Sequence, residues 1–196
     1  MKMSEDKFNS LKKVHKIVLI AFIVINFICT IMFSVYVLNN KGVLDYNMRN
    51  AIYGAYAYSL CDMFAFICGY LYAKSDYSKQ GAKWYKAFIG LTALSTLFHL
   101  HSLTHASGFG IPVYLLMASI VILLVLTFAP NLGKKNTWIL FAVLFAIDLI
   151  YTPLVQIDNI DTTTAVISVL TRLVADGTIG LAIMGKYRDK DARGNI

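Results

Sequence analysis

The amino-acid sequence predicts an all-α integral membrane protein, a six-transmembrane-helix bundle with short loops and both termini in the cytoplasm. Hydrophobic residues occupy 58% of the 196 positions and charged residues only 15%, and the mean hydropathy is +0.62. A soluble globular domain carries about 25% charged residues. Such a chain cannot bury its hydrophobic surface within itself, so the lipid bilayer is its expected surrounding.

Six apolar runs account for most of the chain, and each is close to the roughly 20 residues that a helix needs to cross a bilayer. The first run follows a basic segment and has no clear small-residue cleavage site, so we interpret it as a retained helix rather than a signal peptide. One membrane domain, 17–184, thus lies between a basic N-terminal segment, 1–16, and a basic tail, 185–196. The predicted spans are 17–38, 52–73, 84–104, 111–129, 138–155 and 164–184.

Lysine and arginine residues are distributed unevenly between the two sides of these spans. With the N-terminus inside, fifteen of the eighteen lie in cytoplasmic segments, two (Lys41 and Arg49) lie outside, and Arg172 lies within a span. By the positive-inside rule, this bias predicts cytoplasmic termini in a plasma membrane. It also explains the formal charge of +7, so we expect anionic lipid rather than nucleic acid beside these bases. The cytoplasmic segments are 1–16, 74–86, 130–137 and 185–196.

Three aspartates and one arginine lie inside the predicted spans, with two histidines, His99 and His101, nearer the end of a span. A charged side chain in hydrocarbon costs at least a few kcal/mol, so such residues usually pair with one another or line a pathway. At about 1.5 Å per helical residue, Asp148 and Arg172 each lie about 12 Å from the predicted outer boundary. We therefore expect a polar cluster in the outer half of the bundle or near its midplane. Its members are Asp62, His99, Asp148, Arg172 and Asp176.

Helical spacing adds two residues to this cluster, because residues three or four apart share a helix face. In span two, Ser59 precedes Asp62 by three residues on a face of small side chains, which lets helices approach closely around a polar site. In span five, Tyr151 lies one turn beyond Asp148. The predicted substrate-binding residues are Ser59, Asp62, His99, Asp148, Tyr151, Arg172 and Asp176.

Arg172 needs a partner, and two acids are open to it: Asp176 on its own helix and Asp148 across a helix interface. Either pair could be a structural salt bridge that only fixes packing. Two of the three aspartates would then remain, and each must be protonated, hydrated or bound to a ligand. We favour a functional role for Asp62, because packing alone gives no reason for an unpaired acid inside a membrane.

His101 and His105 lie four residues apart on one helix face near the predicted outer surface, where they could chelate a metal ion. The pattern is weak, since the span carries no HExxH motif and no carboxylate as a third ligand. We therefore predict no metal site and no cofactor, and we keep the two histidines only as weak metal candidates.

Three functions compete for this architecture. The leading one is a membrane transport protein, or the substrate-binding membrane subunit of one, with an outward-facing site for a small polar or charged solute. The sequence has no ATP-binding P-loop, so energy would come from an ion gradient or from a partner membrane protein. The second, less favoured, is an intramembrane enzyme that acts on a lipid-like substrate by acid and histidine chemistry, with or without a metal. The third is a non-catalytic sensor, immunity or assembly partner whose polar cluster only sets helix packing.

Reporter fusions test the predicted orientation. Green fluorescent protein fused after Ile196 should fluoresce, because it folds in the cytoplasm. Alkaline phosphatase inserted after Gly42 should be active, because its disulfides form only on the oxidising outer side. Exchanging the two reporters is the control and should silence both. An active phosphatase at the C-terminus would contradict the orientation.

Overall fold

The computed structural model describes residues 5–40, 42, 45–77, 79–107, 110–128, 132–156 and 162–193. These residues form six α-helices and one short 3₁₀ turn at Lys79–Gly81, with no strand among them. Parts of the predicted loops and of both termini lie outside the described residues. The helices are α1 (Glu5–Asn39), α2 (Tyr46–Lys74), α3 (Ala82–Ser107), α4 (Ile111–Phe128), α5 (Lys134–Gln156) and α6 (Thr162–Arg193).

Four of these helices, α1 to α4, are long and apolar enough to cross a membrane within the part of the chain that the structure describes. The all-helical fold is confirmed, and the four apolar helices support a membrane-embedded bundle, whereas six crossings and the orientation stay predictions. Each predicted span coincides with one helix, but α1 starts earlier and α6 ends later than its span. The early start of α1 follows from Glu5 and Asp6, whose charges in the first turn favour a helix N-terminus.

The six helices form a ring in which each one packs against its neighbours in sequence, and α6 closes the ring against α1. Short connections produce this arrangement, because helices joined by a few residues become antiparallel neighbours. The contact between α2 and α3 is the most extensive, and the closing contact between α1 and α6 is the sparsest of those between ring neighbours. His15 Nε2 and Thr178 Oγ1, 2.9 Å apart, form a hydrogen bond across this closure.

The close approach of α2 and α3 depends on the absence of a side chain at Gly54. A Cβ added there would lie 2.8 Å from Ser102 Cβ and 3.0 Å from Ser102 Cα. The hydroxyl of Ser102 also donates a hydrogen bond of 2.8 Å to the carbonyl of Ala51. Small residues and a hydroxyl therefore hold these two helices together, as is typical of helix pairs in membranes.

Described residues from all four segments predicted to be cytoplasmic lie at the same end of the bundle, where a Cβ at Gly185 would lie 3.3 Å from the carbonyl oxygen of Tyr77. Lys12 and Lys16 of α1 lie 3.8 Å and 3.2 Å from a carboxylate oxygen of Asp76, which follows α2. Near the start of α5, Thr137 Oγ1 lies 2.7 Å from Tyr187 Oη on α6. The helix directions that the charge distribution requires are thus compatible with the fold.

Two apolar clusters fill the ring and leave a gap between them. Along α3, Phe88 and Ile89 belong to the larger cluster, whereas Leu103 belongs to the smaller one. Along α5, Leu144 belongs to the larger cluster and Tyr151 to the smaller one. The intervening turns of both helices carry polar residues, so the gap between the clusters coincides with the predicted polar site.

Replacing Gly54 with alanine should destabilise the protein by about 1–3 kcal/mol, because the new methyl group meets the backbone of α3. Thermal unfolding of the purified protein in detergent measures this change. Gly90→Ala is the matched control, since a Cβ at Gly90 meets nothing within 4 Å. That control should be neutral or slightly stabilising, because alanine favours helix more than glycine does. Equal effects of the two substitutions would contradict the close contact.

Candidate functional site

A cavity of about 250 Å³ lies inside the ring, and all six helices contribute to its wall. Tyr151 is not part of the wall; its ring is buried, with 2% of its surface exposed. The structure therefore brings six of the seven predicted substrate-binding residues to one space. Those that line it are Ser59, Asp62, His99, Asp148, Arg172 and Asp176.

An ion pair between Arg172 and Asp148 crosses the interface of α6 and α5. Arg172 Nη1 lies 2.8 Å from Asp148 Oδ1, and the two side chains are only 13% and 7% exposed. Of the two acids open to Arg172 in the sequence, Asp148 is therefore the one that pairs with it. Desolvation of two charges opposes such a pair, and the close charge-assisted hydrogen bond offsets that cost.

The hydrogen bonds of His99 determine its tautomer. Arg172 Nη2 lies 3.3 Å from His99 Nδ1, and a guanidinium can only donate, so Nδ1 accepts. The proton of the neutral ring is then on Nε2, which donates to Tyr151 Oη at 2.9 Å. Both ring nitrogens of His99 are thus engaged with protein groups, and the imidazole is held neutral.

Two tyrosine rings lie against Arg172 and His99. The guanidinium carbon of Arg172 lies 4.8 Å from the centre of the Tyr151 ring, within the range of a cation–π contact. On α2, the Tyr58 ring stacks on His99 with centroids 4.7 Å apart. Tyr151, which the sequence placed among the substrate-binding residues, thus lies behind the wall and supports Arg172 and His99.

Asp176 has the most unusual environment of the three aspartates. It is 2% exposed, and its Oδ2 atom has no hydrogen-bond partner among the described residues. It also borders a second space of about 280 Å³, a mostly apolar groove between α1, α5 and α6 that contains His15. A buried acceptor without a partner costs roughly 1–3 kcal/mol, so this oxygen is available to a ligand, a proton or water.

Asp62 lies on the α2 side of the cavity and is half-buried. Ser95 of α3 also lines the cavity, and its hydroxyl donates to the carbonyl of Tyr58 at 3.4 Å. None of the ion pairs between described residues includes Asp62. The cavity wall therefore holds two carboxyl groups, Asp62 and Asp176, in addition to the one that neutralises Arg172.

Ser59 links two helices as well as lining the cavity. Its hydroxyl donates to the carbonyl of Asn26 at 3.2 Å and lies 3.2 Å from Thr30 Oγ1. Because the hydroxyl is 3.2 Å from both of these α1 atoms and the residue is 1% exposed, Ser59 contributes to the packing of α1 against α2.

His101 and His105 lie away from the cavity wall. Their rings are 4.3 Å apart, and His105 Nδ1 donates to the carbonyl of His101 at 2.9 Å. No group of three or more His, Cys, Asp or Glu side chains that could hold a metal occurs among the residues that the structure describes. The two histidines remain a weak pair without a third ligand in that part of the chain.

Fifteen cavity residues were not among the predicted ones, and two of them are isolated polar residues in apolar helices. Asn26 interrupts the first apolar run, and Ser119 lies in the middle of the very apolar α4. Ser119 is 1% exposed, and its hydroxyl has no hydrogen-bond partner among the described residues. An isolated polar residue inside an apolar run is the sequence signal that could have identified both.

The fold and cavity define a class: a helical membrane-type bundle with a polar cavity enclosed by its own helices. No family model matches the chain, and no curated protein or solved structure is significantly similar to it. The function is therefore inferred from the cavity itself.

Arg172→Met should destabilise the protein by about 3–5 kcal/mol, because it leaves Asp148 buried without its counter-charge. Combining it with Asp148→Leu should recover most of this loss, since the double variant contains no unpaired charge at the pair. Asp76→Asn is the control, because its 67% exposed carboxylate forms a surface pair with Lys16 worth at most about 1 kcal/mol. Unfolding in detergent by heat or denaturant gives all three values. A double variant no more stable than Arg172→Met would contradict the pairing.

Proposed function

We propose that this chain is a multi-pass plasma-membrane transport protein, or the substrate-binding membrane subunit of one, whose six helices all cross the bilayer. Both termini are cytoplasmic in this proposal, and the cavity opens toward the outside. The single observation that carries it is the cavity of about 250 Å³, which collects ionisable side chains from α2, α3, α5 and α6 inside an apolar bundle. Such sites between helices are where membrane proteins bind the solutes that they move.

The position of the cavity along the bundle supports an outward opening. The larger apolar cluster includes Tyr72, Tyr77 and Tyr187, which lie at the end that carries most of the basic residues. The cavity borders that cluster, and only the smaller apolar cluster lies on its other side, so the thicker packing separates the cavity from the basic end. If the basic end is cytoplasmic, as the positive-inside rule requires, the packed end closes the cavity toward the cytoplasm.

An intramembrane enzyme has less support. Its chemistry would need a nucleophile beside a base, but both nitrogens of His99 are engaged by Arg172 and Tyr151. The hydroxyls of Ser59 and Ser102 donate to helix carbonyls. Among the described residues, no serine–histidine pair is thus arranged for catalysis.

A thermal-shift screen of detergent-purified protein against vitamins, amino acids and nucleobases tests the proposal. At least one solute should raise the melting temperature, since a ligand at a hundred times its Kd stabilises by about 2.7 kcal/mol. The shift should disappear in Asp62→Asn, which removes a wall carboxylate, and persist in Asp76→Asn, which removes an exposed one. The same solute should enter liposomes that contain the native protein.

Binding and uptake that survive Asp62→Ala in folded protein would refute the transport site. A reproducibly co-purifying protein, with no solute effect and with assembly damaged by Asp62→Asn, would instead favour the partner-protein function. Chemical conversion of a lipid by the purified protein would favour the enzyme.

A further inference from the structure

The cavity wall carries more acidic than basic groups. Among the described residues, three carboxyl groups line it, from Asp62, Asp148 and Asp176, against one guanidinium, from Arg172. Asp148 neutralises Arg172, and His99 is held as a neutral ring by its hydrogen bonds. Two carboxyl groups are left over, and an ionised carboxylate in apolar surroundings needs a positive counter-charge.

Arg172 is poorly placed to receive an anionic ligand. Its Nη1 is bonded to Asp148, its Nη2 donates to His99, and the Tyr151 ring lies 4.8 Å from its central carbon. Because Asp148 already neutralises the guanidinium, a ligand carboxylate or phosphate beside Arg172 would also meet the like charge of Asp148. Among the described wall residues, the positive charge of the one guanidinium is thus already neutralised by a protein carboxylate.

Several of the remaining polar groups of the wall can accept a hydrogen bond from a ligand. The hydroxyls of Thr92 and Thr96 donate to carbonyls of their own helix at 2.9 Å and 2.8 Å, so toward a ligand these oxygens can only accept. Asp176 Oδ2 is a buried acceptor without a partner among the described residues. Between these groups the wall is apolar or aromatic, with Phe33 and Leu144 among its members.

Acceptors, surplus carboxyl groups and apolar surface together match one chemical class. We infer that the cavity binds a small organic cation, a protonated amine on a compact apolar body, whose charge is held by Asp62 and Asp176. This inference rests on the proposed solute site and names its substrate class. The amine supplies the counter-charge that the wall lacks, its N–H groups reach the acceptors, and its body covers the apolar surface.

Three probes of similar shape and different charge test the class: benzylamine, benzyl alcohol and benzoate. Each is added at the same concentration, near neutral pH, to the purified full-length protein in one detergent. Benzylamine should raise the melting temperature and give a saturable binding isotherm, whereas benzyl alcohol and benzoate should do neither. The shared ring and the shared detergent make unspecific partitioning of the ring comparable.

Two carboxyl variants locate the cation. Asp176→Asn and Asp62→Asn should each weaken benzylamine binding at least about tenfold, because a desolvated charge partner is lost. Asp176→Glu keeps the charge and should retain more affinity than Asp176→Asn, which separates charge from shape. Asp76→Asn, outside the cavity, should bind as the native protein does.

Several results would overturn the cation class. Equal binding of benzyl alcohol would mean that charge plays no part, and preferential binding of benzoate would mean that the wall attracts anions. In both cases a solute site would stand, so the proposed function would survive. An equal effect of sodium or potassium ions alone would point to an inorganic ion and would also refute the class. Benzylamine binding unchanged in both Asn variants would place it outside the cavity. No binding of any probe, together with a negative solute screen, would reject both inferences.

Discussion

The ion pair between Arg172 and Asp148 is the interaction on which the polar interior depends. A guanidinium cannot lose its proton, so its position inside an apolar bundle requires an acceptor at close range. Asp148 supplies it on α5, His99 on α3 accepts a second N–H, and the Tyr151 ring covers the group. These contacts fix the rotation of α3, α5 and α6 about their axes. Asp176 lies one turn beyond Arg172 on the same helix, so its place in the cavity wall follows from the same constraint.

The opposite side of the cavity is held by weaker and more numerous contacts. Gly54 allows α2 to touch the backbone of α3, and Ser59 connects α2 to the Asn26 carbonyl of α1. Hydrogen bonds between helices in a bilayer contribute about 0.6 kcal/mol on average, so several of them are needed to hold α1, α2 and α3 together. On the other side of the cavity, one ion pair joins α5 to α6. Asp62 is thus carried on a face whose position is set by small residues and hydroxyls. The cavity thus lies between two sides of the bundle. One side, on α5 and α6, carries Asp148, Arg172 and Asp176, and the other, on α1 and α2, carries a single acid among the described wall residues, Asp62.

Much of the fold was predictable because apolar run length and flanking charge are properties of single segments. Each predicted span coincides with one helix. The cost of charge in an apolar medium also identified the aspartates, the arginine and the histidine of the cavity wall. Rotation about the helix axis was not predictable, because it depends on partners far away in the sequence. The choice between Asp148 and Asp176 for Arg172, and the place of Tyr151 behind the wall, both depend on that rotation. Ser119 gave only a weak sequence signal, because a single serine in an apolar helix is as compatible with helix packing as with a cavity wall.

Packing alone explains Arg172 and Asp148 but not Asp176. A paired acid and base can fix helix register. Removing either one is destabilising, because the other charge then stays buried without its counter-charge. Asp176 has an unpartnered oxygen at 2% exposure, so an apolar side chain of similar size would avoid its desolvation cost. A bundle shaped only by stability would therefore favour Leu or Asn at this position over Asp. The carboxyl group becomes favourable once a positive ligand occupies the cavity, because the ligand then provides the missing charge. The energetic cost of burying Asp176 without a counter-charge is the physical argument for the proposed ligand site, because packing alone gives no reason for this acid.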